Sequence, residues 1–118
     1  MNSPDSLLDT IKSSGIGFLT TANNHCYDTG IYGLKRTVGQ LKTKGIEFSG
    51  TKEADSDSKY TVKNVNGIKI GMVAYTYENS SPAGQKSING NMIASEANSL
   101  INSFNYDRID NFITKLNR

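Results

Sequence analysis

The sequence predicts an α/β fold, and three observations carry that expectation. The apolar run Ile16-Gly17-Phe18-Leu19 has the length of a buried strand. Behind it Ile31, Leu34, Val38 and Leu41 recur at helical spacing, and a second apolar run at 46–48 follows at once, so strand, helix and strand make a βαβ unit with parallel strands. Further on, Asn66-Gly67 stands between two alternating runs and signals an antiparallel hairpin, because both positions tolerate positive φ.

Taken in order, Ser3-Pro4-Asp5 reads as a helix start. Ser3 can cap, Pro4 suits a first turn that has no use for its missing N–H, and Asp5 complements the positive helix end. Leu7, Leu8 and Ile11 share a face of that helix, and Gly15 ends it in a left-handed conformation. The crossover helix is predicted over 31–44, with Lys35, Arg36, Lys42 and Lys44 off its apolar stripe and Gly45 as its stop. A polar loop at 50–58 leads into the runs 60–65 and 68–75, whose strands are expected to join the sheet. In that loop Asp55-Ser56-Asp57 lacks the glycine and distal glutamate of a calcium loop and reads as solvated. Residues 79–85 read as a loop, Asn89-Gly90-Asn91 as a turn and 95–104 as a helix. A C-terminal amphipathic helix is predicted from the stripe Ile109, Phe112, Ile113 and Leu116.

With 118 residues, one domain (1–118) with a single core is expected. Thirteen Lys and Arg against eleven Asp and Glu leave a net charge of +2 with the cations dispersed, so no nucleic-acid partner is expected. The lone Cys26 excludes an internal disulfide, and no apolar run reaches the roughly 20 residues a membrane-spanning helix needs. A signal peptide is not visible, and no dinucleotide or P-loop fingerprint is present.

Chemistry concentrates at 20–30, where amides, the only histidine, the only cysteine and a carboxylate fall at the strand-to-helix junction. Ligands bind at that edge of open α/β sheets. Two readings stand side by side. Asn24 and His25 can serve a metal-assisted hydrolysis, since a carboxamide oxygen is a neutral hard ligand and an imidazole binds metal or moves a proton. Alternatively, Asn23 and Asn24 satisfy turn backbone, His25 is a structural hydrogen-bonding residue, and Asp28 or Thr29 caps the helix. On the residues alone the structural reading is favoured, with Cys26 a small buried residue.

The order of motifs resembles a known family. Ser3-Pro4-Asp5 heads a helix, Ala22-Asn23-Asn24-His25 is followed by Asp28 and Gly30, and Gly33-Leu34, Gly45-Ile46 and Ser49-Gly50-Thr51 come next. Val65-Asn66-Gly67-Ile68-Lys69-Ile70 and Tyr75-Thr76 complete the pattern, which is similar to bacterial poly-γ-glutamate capsule synthesis proteins of the CapA type over most of the chain. The resemblance implies a branch of the calcineurin-like metallophosphoesterases. Its fold would be part of an α/β/β/α sandwich, here the βαβ unit, the hairpin and the C-terminal helix, with divalent metal ions at strand ends. By the same resemblance Asn24 corresponds to the asparagine metal ligand and His25 to the histidine that contacts the phosphoryl group, while Asp28, spaced three residues on as in the capsule family, is the second catalytic candidate. Cys26 stands where the wider superfamily has its acidic residue. The superfamily's other metal-binding segments have no counterpart, which implies an internal fragment of a larger domain, inactive alone. With its sheet edges and the stripe Ile109, Phe112, Ile113 and Leu116 unpartnered, such a fragment is expected to be marginally stable or to self-associate. A phosphoester or poly-γ-glutamate substrate, other capsule-synthesis proteins as partners, and a membrane-associated or extracellular location on a bacterial cell are further implications. The competing expectation is a non-catalytic scaffold or polymer-binding module.

Overall fold

The computed structural model describes residues 3–104 and 113–114. Helix α1 (Ser6–Ser13) leads to strand β1 (Phe18–Thr20), helix α2 (Gly30–Lys44) and strand β2 (Glu47–Ser49). The β1 and β2 strands pair in parallel, Leu19 opposite Phe48, so the βαβ unit is present as predicted. Helix α2 forms because Leu34, Val38 and Leu41 make one buried stripe, and it stops because Gly45 takes φ 63°. There the Ile46 N–H reaches back to the Leu41 carbonyl at 3.0 Å, closing the helix end. Helix α1 buries no residue. It is held to α2 by ion pairs, Asp5 with Arg36 at 2.8 Å and Asp9 with Lys44 at 2.6 Å. Asp5 occupies the N-cap position without a side-chain cap, because its carboxylate is taken in bidentate fashion by Arg36; Ser3 does not cap.

The hairpin forms from β3 (Thr61–Val65) and β4 (Ile68–Met72), with Asn66 at φ 52° and Gly67 at φ 84° in its turn. It does not join the β1–β2 sheet as expected from the sequence. The reason lies in hydroxyls. Thr61 Oγ1 donates to the Phe48 carbonyl at 2.8 Å, and Ser49 Oγ stands between the Lys59 carbonyl and the Ala74 N–H, so side chains satisfy groups a ladder would have used.

A second difference lies further along. Within 79–92 three short strands, β5 (Asn79–Ser80), β6 (Lys86–Ile88) and β7 (Asn91–Met92), form a separate antiparallel sheet. The helix expected over 95–104 is reduced to one 3-10 turn, Ser95–Ala97. Its Asn and Ser residues are weak helix formers, and its backbone groups are used elsewhere. The Lys52 N–H donates to the Leu100 carbonyl at 2.7 Å, Asn102 N–H to the Gly50 carbonyl at 2.8 Å, and Thr76 N–H to the Asn102 carbonyl at 2.9 Å. This extended segment ties the end of β2 to the chain beyond the hairpin. Tyr75 stacks on Phe104, with ring centroids 6.0 Å apart. The main core gathers Tyr27 and Leu34 from the first half with Ile88, Ile93, Ala97, Leu100 and Ile101 from the second. Of the predicted C-terminal stripe, Ile109, Phe112 and Leu116 lie outside the described residues; Ile113 is helical and exposed.

Candidate functional site

Between β1 and α2 the backbone makes successive tight turns: Cys26 N–H to the Asn23 carbonyl, Asp28 N–H to the His25 carbonyl, and Gly30 N–H to the Tyr27 carbonyl. Asn23 serves this turn directly, its side-chain oxygen accepting the His25 N–H at 2.8 Å. The Asn24 carboxamide makes no such bond among the described residues. Thr29 occupies the N-cap of α2 without a side-chain cap, and the Asp28 carboxylate is turned to His25 instead, so neither residue caps the helix by its side chain.

The His25 Nδ1 lies 2.8 Å from Asp28 Oδ2, a pairing three residues apart within this run of turns. The hydrogen bond from His25 holds the Asp28 carboxyl down at about 2. At neutral pH Asp28 is therefore an ionised acceptor, which places the bridging proton on Nδ1 and leaves Nε2 to exchange a proton. Because the folded value lies below the unfolded 3.8, this pairing stabilises the fold above about 3.8 and is lost as pH falls through about 2. Both groups meet solvent, so the contribution is small. A carboxyl carbon titration should place the Asp28 midpoint near 2, and His25→Ala should return it toward 3.8. A wild-type midpoint at 3.8 would contradict the pairing.

His25 and Asn24 line a cleft of about 1080 Å³ that runs between α1 and α2, with Leu8, Leu19, Leu34 and Leu41 as apolar lining. Asp28, hydrogen-bonded to the imidazole, lies outside that lining. The structure thus has all three sequence-predicted residues on one loop, with His25 and Asn24 lining the cleft and Asp28 hydrogen-bonded to His25. Cys26 is half-buried against the core, and burial pushes its thiol pKa up, which favours the protonated, less nucleophilic form.

Sequence reading missed Asn89. It sits in the β6–β7 turn with φ 50°, and its Nδ2 lies 3.4 Å from Asp28 Oδ1 and 3.4 Å from His25 Nδ1. The turn was legible in Asn-Gly; the aim of its side chain, across 61 residues, was not.

No group of three or more His, Cys, Asp or Glu side chains that could hold a metal ion occurs among the described residues. Asn24 offers one amide oxygen, and His25 has one ring nitrogen left after Asp28 takes the other. Two donors fall short of the four or more that zinc, calcium or magnesium require, so the described residues do not by themselves fit a resident divalent ion.

Two residues behind the loop fix its position. Thr51 donates to Thr21 Oγ1 from both its N–H, at 2.9 Å, and its hydroxyl, at 2.8 Å, while Gly50 packs against Ala22 so closely that a Cβ would stand 2.3 Å from the Ala22 nitrogen.

Residues 1–117 match the family model described as bacterial capsule synthesis protein PGA_cap. The chain is 30% identical over 77 residues to the capsule biosynthesis protein CapA of Bacillus anthracis, a match covering 64% of this chain and 19% of that protein. It is 31% identical over 68 residues to the PGA biosynthesis protein CapA of Bacillus subtilis strain 168, covering 56% and 18%. The matched stretches are thus about a fifth of the length of these curated relatives. No solved structure gives a significant match.

Proposed function

Because this chain belongs to the bacterial capsule synthesis protein family PGA_cap, we propose that it works in the synthesis of a capsule polymer such as poly-γ-glutamate, as one segment of a larger phosphoesterase-like domain. The observation that carries this reading is the His25–Asp28 pair, which presents one imidazole nitrogen at the cleft while its other nitrogen is held at 2.8 Å. In an acyl- or phosphoester-bearing substrate, that nitrogen would deliver a proton to the departing oxygen or take one from the attacking water. Asp28 would keep the ring in the Nδ1–H form and stabilise the charged imidazolium as it forms.

The finer fold belongs to the same proposal. The parallel β1–β2 pair with α2 on it is the part of an α/β/β/α sandwich that this chain contributes, and Asn24 is the donor it offers to a metal centre completed by other segments. On this reading the parent protein works at the membrane or outer face of a bacterial cell. No helix among the described residues is long and apolar enough to cross a membrane.

Self-association follows from the hairpin. A two-stranded hairpin is marginal alone, and this one leaves Val65, Ile68 and Ile70 on one exposed face, Ile68 at 68%. Light scattering over a concentration series should show the mass of the 118-residue chain rising with concentration. A monomer throughout would contradict it.

Binding tests the substrate side. Titrating the isotope-labelled chain with a phosphomonoester, and separately with a short γ-glutamyl oligomer, should move the amide signals of Asn24, His25, Thr29 and Gly33 together, because all four line the cleft. Shifts confined to surface lysines would count against a substrate cleft. If the oligomer binds while His25→Ala leaves the parent's turnover intact, the scaffold or polymer-binding reading becomes the better one.

A further inference from the structure

We propose that Asn89 is a positioning residue that holds the Asp28 carboxylate toward His25 from outside the cleft lining. The inference rests on the reading of His25 and Asp28 as a working pair and extends it to a residue from the other half of the chain. A carboxylate can rotate about its last bond, and a hydrogen bond on each oxygen narrows that swing more than a bond on one. Here one oxygen, Oδ2, faces His25 Nδ1 at 2.8 Å, and the other, Oδ1, faces Asn89 Nδ2 at 3.4 Å. Asn89 thus adds a restraint on the oxygen that His25 does not hold.

The atom assignment follows from chemistry. Ionised Asp28 only accepts, so the carboxamide must turn its N–H and not its oxygen to it. With the bridging proton on His25 Nδ1, the 3.4 Å approach of Asn89 Nδ2 to that nitrogen is proximity, and the donated hydrogen bond goes to Asp28. Asn89 and Asp28 are both absent from the cleft lining, so Asn89 acts through the pair and not on a ligand.

The location of Asn89 is set on two sides. Ile88, beside it, is 1% exposed and packs in the same cluster as Tyr27 and Leu34. Beyond the turn, the Ala94 N–H donates to the Tyr27 hydroxyl at 3.3 Å. Tyr27 is the chain neighbour of Asp28, so the β6–β7 unit is anchored to the loop it serves. Asparagine at 89 has a backbone reason too, since the turn needs φ 50° there. A comparison within the molecule separates the two roles. Asn66 fills the equivalent position of the β3–β4 turn at φ 52°, yet its carboxamide bonds to no described residue. The turn therefore does not by itself explain the aim of the Asn89 side chain.

The test is the tautomer of His25, read from long-range proton–nitrogen spectra of the 118-residue chain at about pH 8, above the ordinary histidine range. The chain has one histidine, so the signals need no assignment. Wild type should show the Nδ1–H form. Asn89→Gly keeps the turn, because glycine accepts positive φ, and removes the amide. It should raise the ratio of Nε2–H to Nδ1–H by roughly two- to tenfold, the range of one lost net hydrogen bond. Asn66→Gly is the matched control and should leave the ratio unchanged. An unchanged ratio in a folded Asn89→Gly, or an equal rise in Asn66→Gly, overturns the positioning role. If wild type itself carries the Nε2–H form, the His25–Asp28 reading fails along with it; if wild type is Nδ1–H and only the Asn89→Gly result is negative, that reading survives.

Discussion

His25→Ala in the full-length parent should lower kcat by roughly 10²- to 10⁴-fold, the usual scale for a lost general acid or base. That is about 3 to 5 kcal/mol of barrier at 1.36 kcal/mol per decade. KM should change little, because the imidazole would act chiefly where charge develops in the transition state. Asp28→Asn should show the same pattern more mildly, since the amide can still accept from Nδ1–H but no longer balances an imidazolium. A fall in kcat/KM carried wholly by KM would place His25 in substrate binding instead. Turnover of a phosphoester substrate by wild type and both variants, at one metal concentration, decides between these.

The other large effect is structural. Gly50→Ala should destabilise the chain by roughly 2–6 kcal/mol, combining about 1–3 for a side chain at φ 127° with about 1–3 for overpacking against Ala22. Domain stabilities of roughly 5–15 kcal/mol make that a substantial fraction of the total. Gly50 also accepts the Asn102 N–H at 2.8 Å, so the same residue joins the end of β2, the loop carrying Asn24 and His25, and the segment at 100–104. Denaturant unfolding followed by far-ultraviolet circular dichroism measures the loss. A change below about 0.5 kcal/mol, the scale of an indifferent surface substitution, would show that the loop and β2 do not meet as closely as the structure has them.

Local signals made the first half of the fold legible. Leu34, Val38 and Leu41 announce α2 by spacing, Gly45 announces its end, and Asn66-Gly67 announces the hairpin; in each case the cause lies within a few residues of the effect. What the sequence hid depends on partners far along the chain. Residues 100–104 pair with 50–52 and with Thr76, and such pairing overrides a helical spacing whose residues are weak helix formers. The hairpin stands apart from β2 because Ser49 and Thr61 hydroxyls take backbone groups, which no strand pattern encodes. At the site, the residue types His25, Asp28 and Asn24 were readable, whereas the short His25–Asp28 bond needed the turn geometry and Asn89 needed the tertiary fold.

Melting temperature and turnover, measured together on His25→Ala of the parent, test most directly whether the loop is a site or a structural turn. His25 is 45% exposed at its side chain, and its bond to Asp28 is solvent-screened, so its removal should leave the melting temperature within a few degrees of wild type. Turnover should fall by at least a hundredfold. Retained turnover with a large loss of melting temperature would contradict the account and make His25 a structural residue.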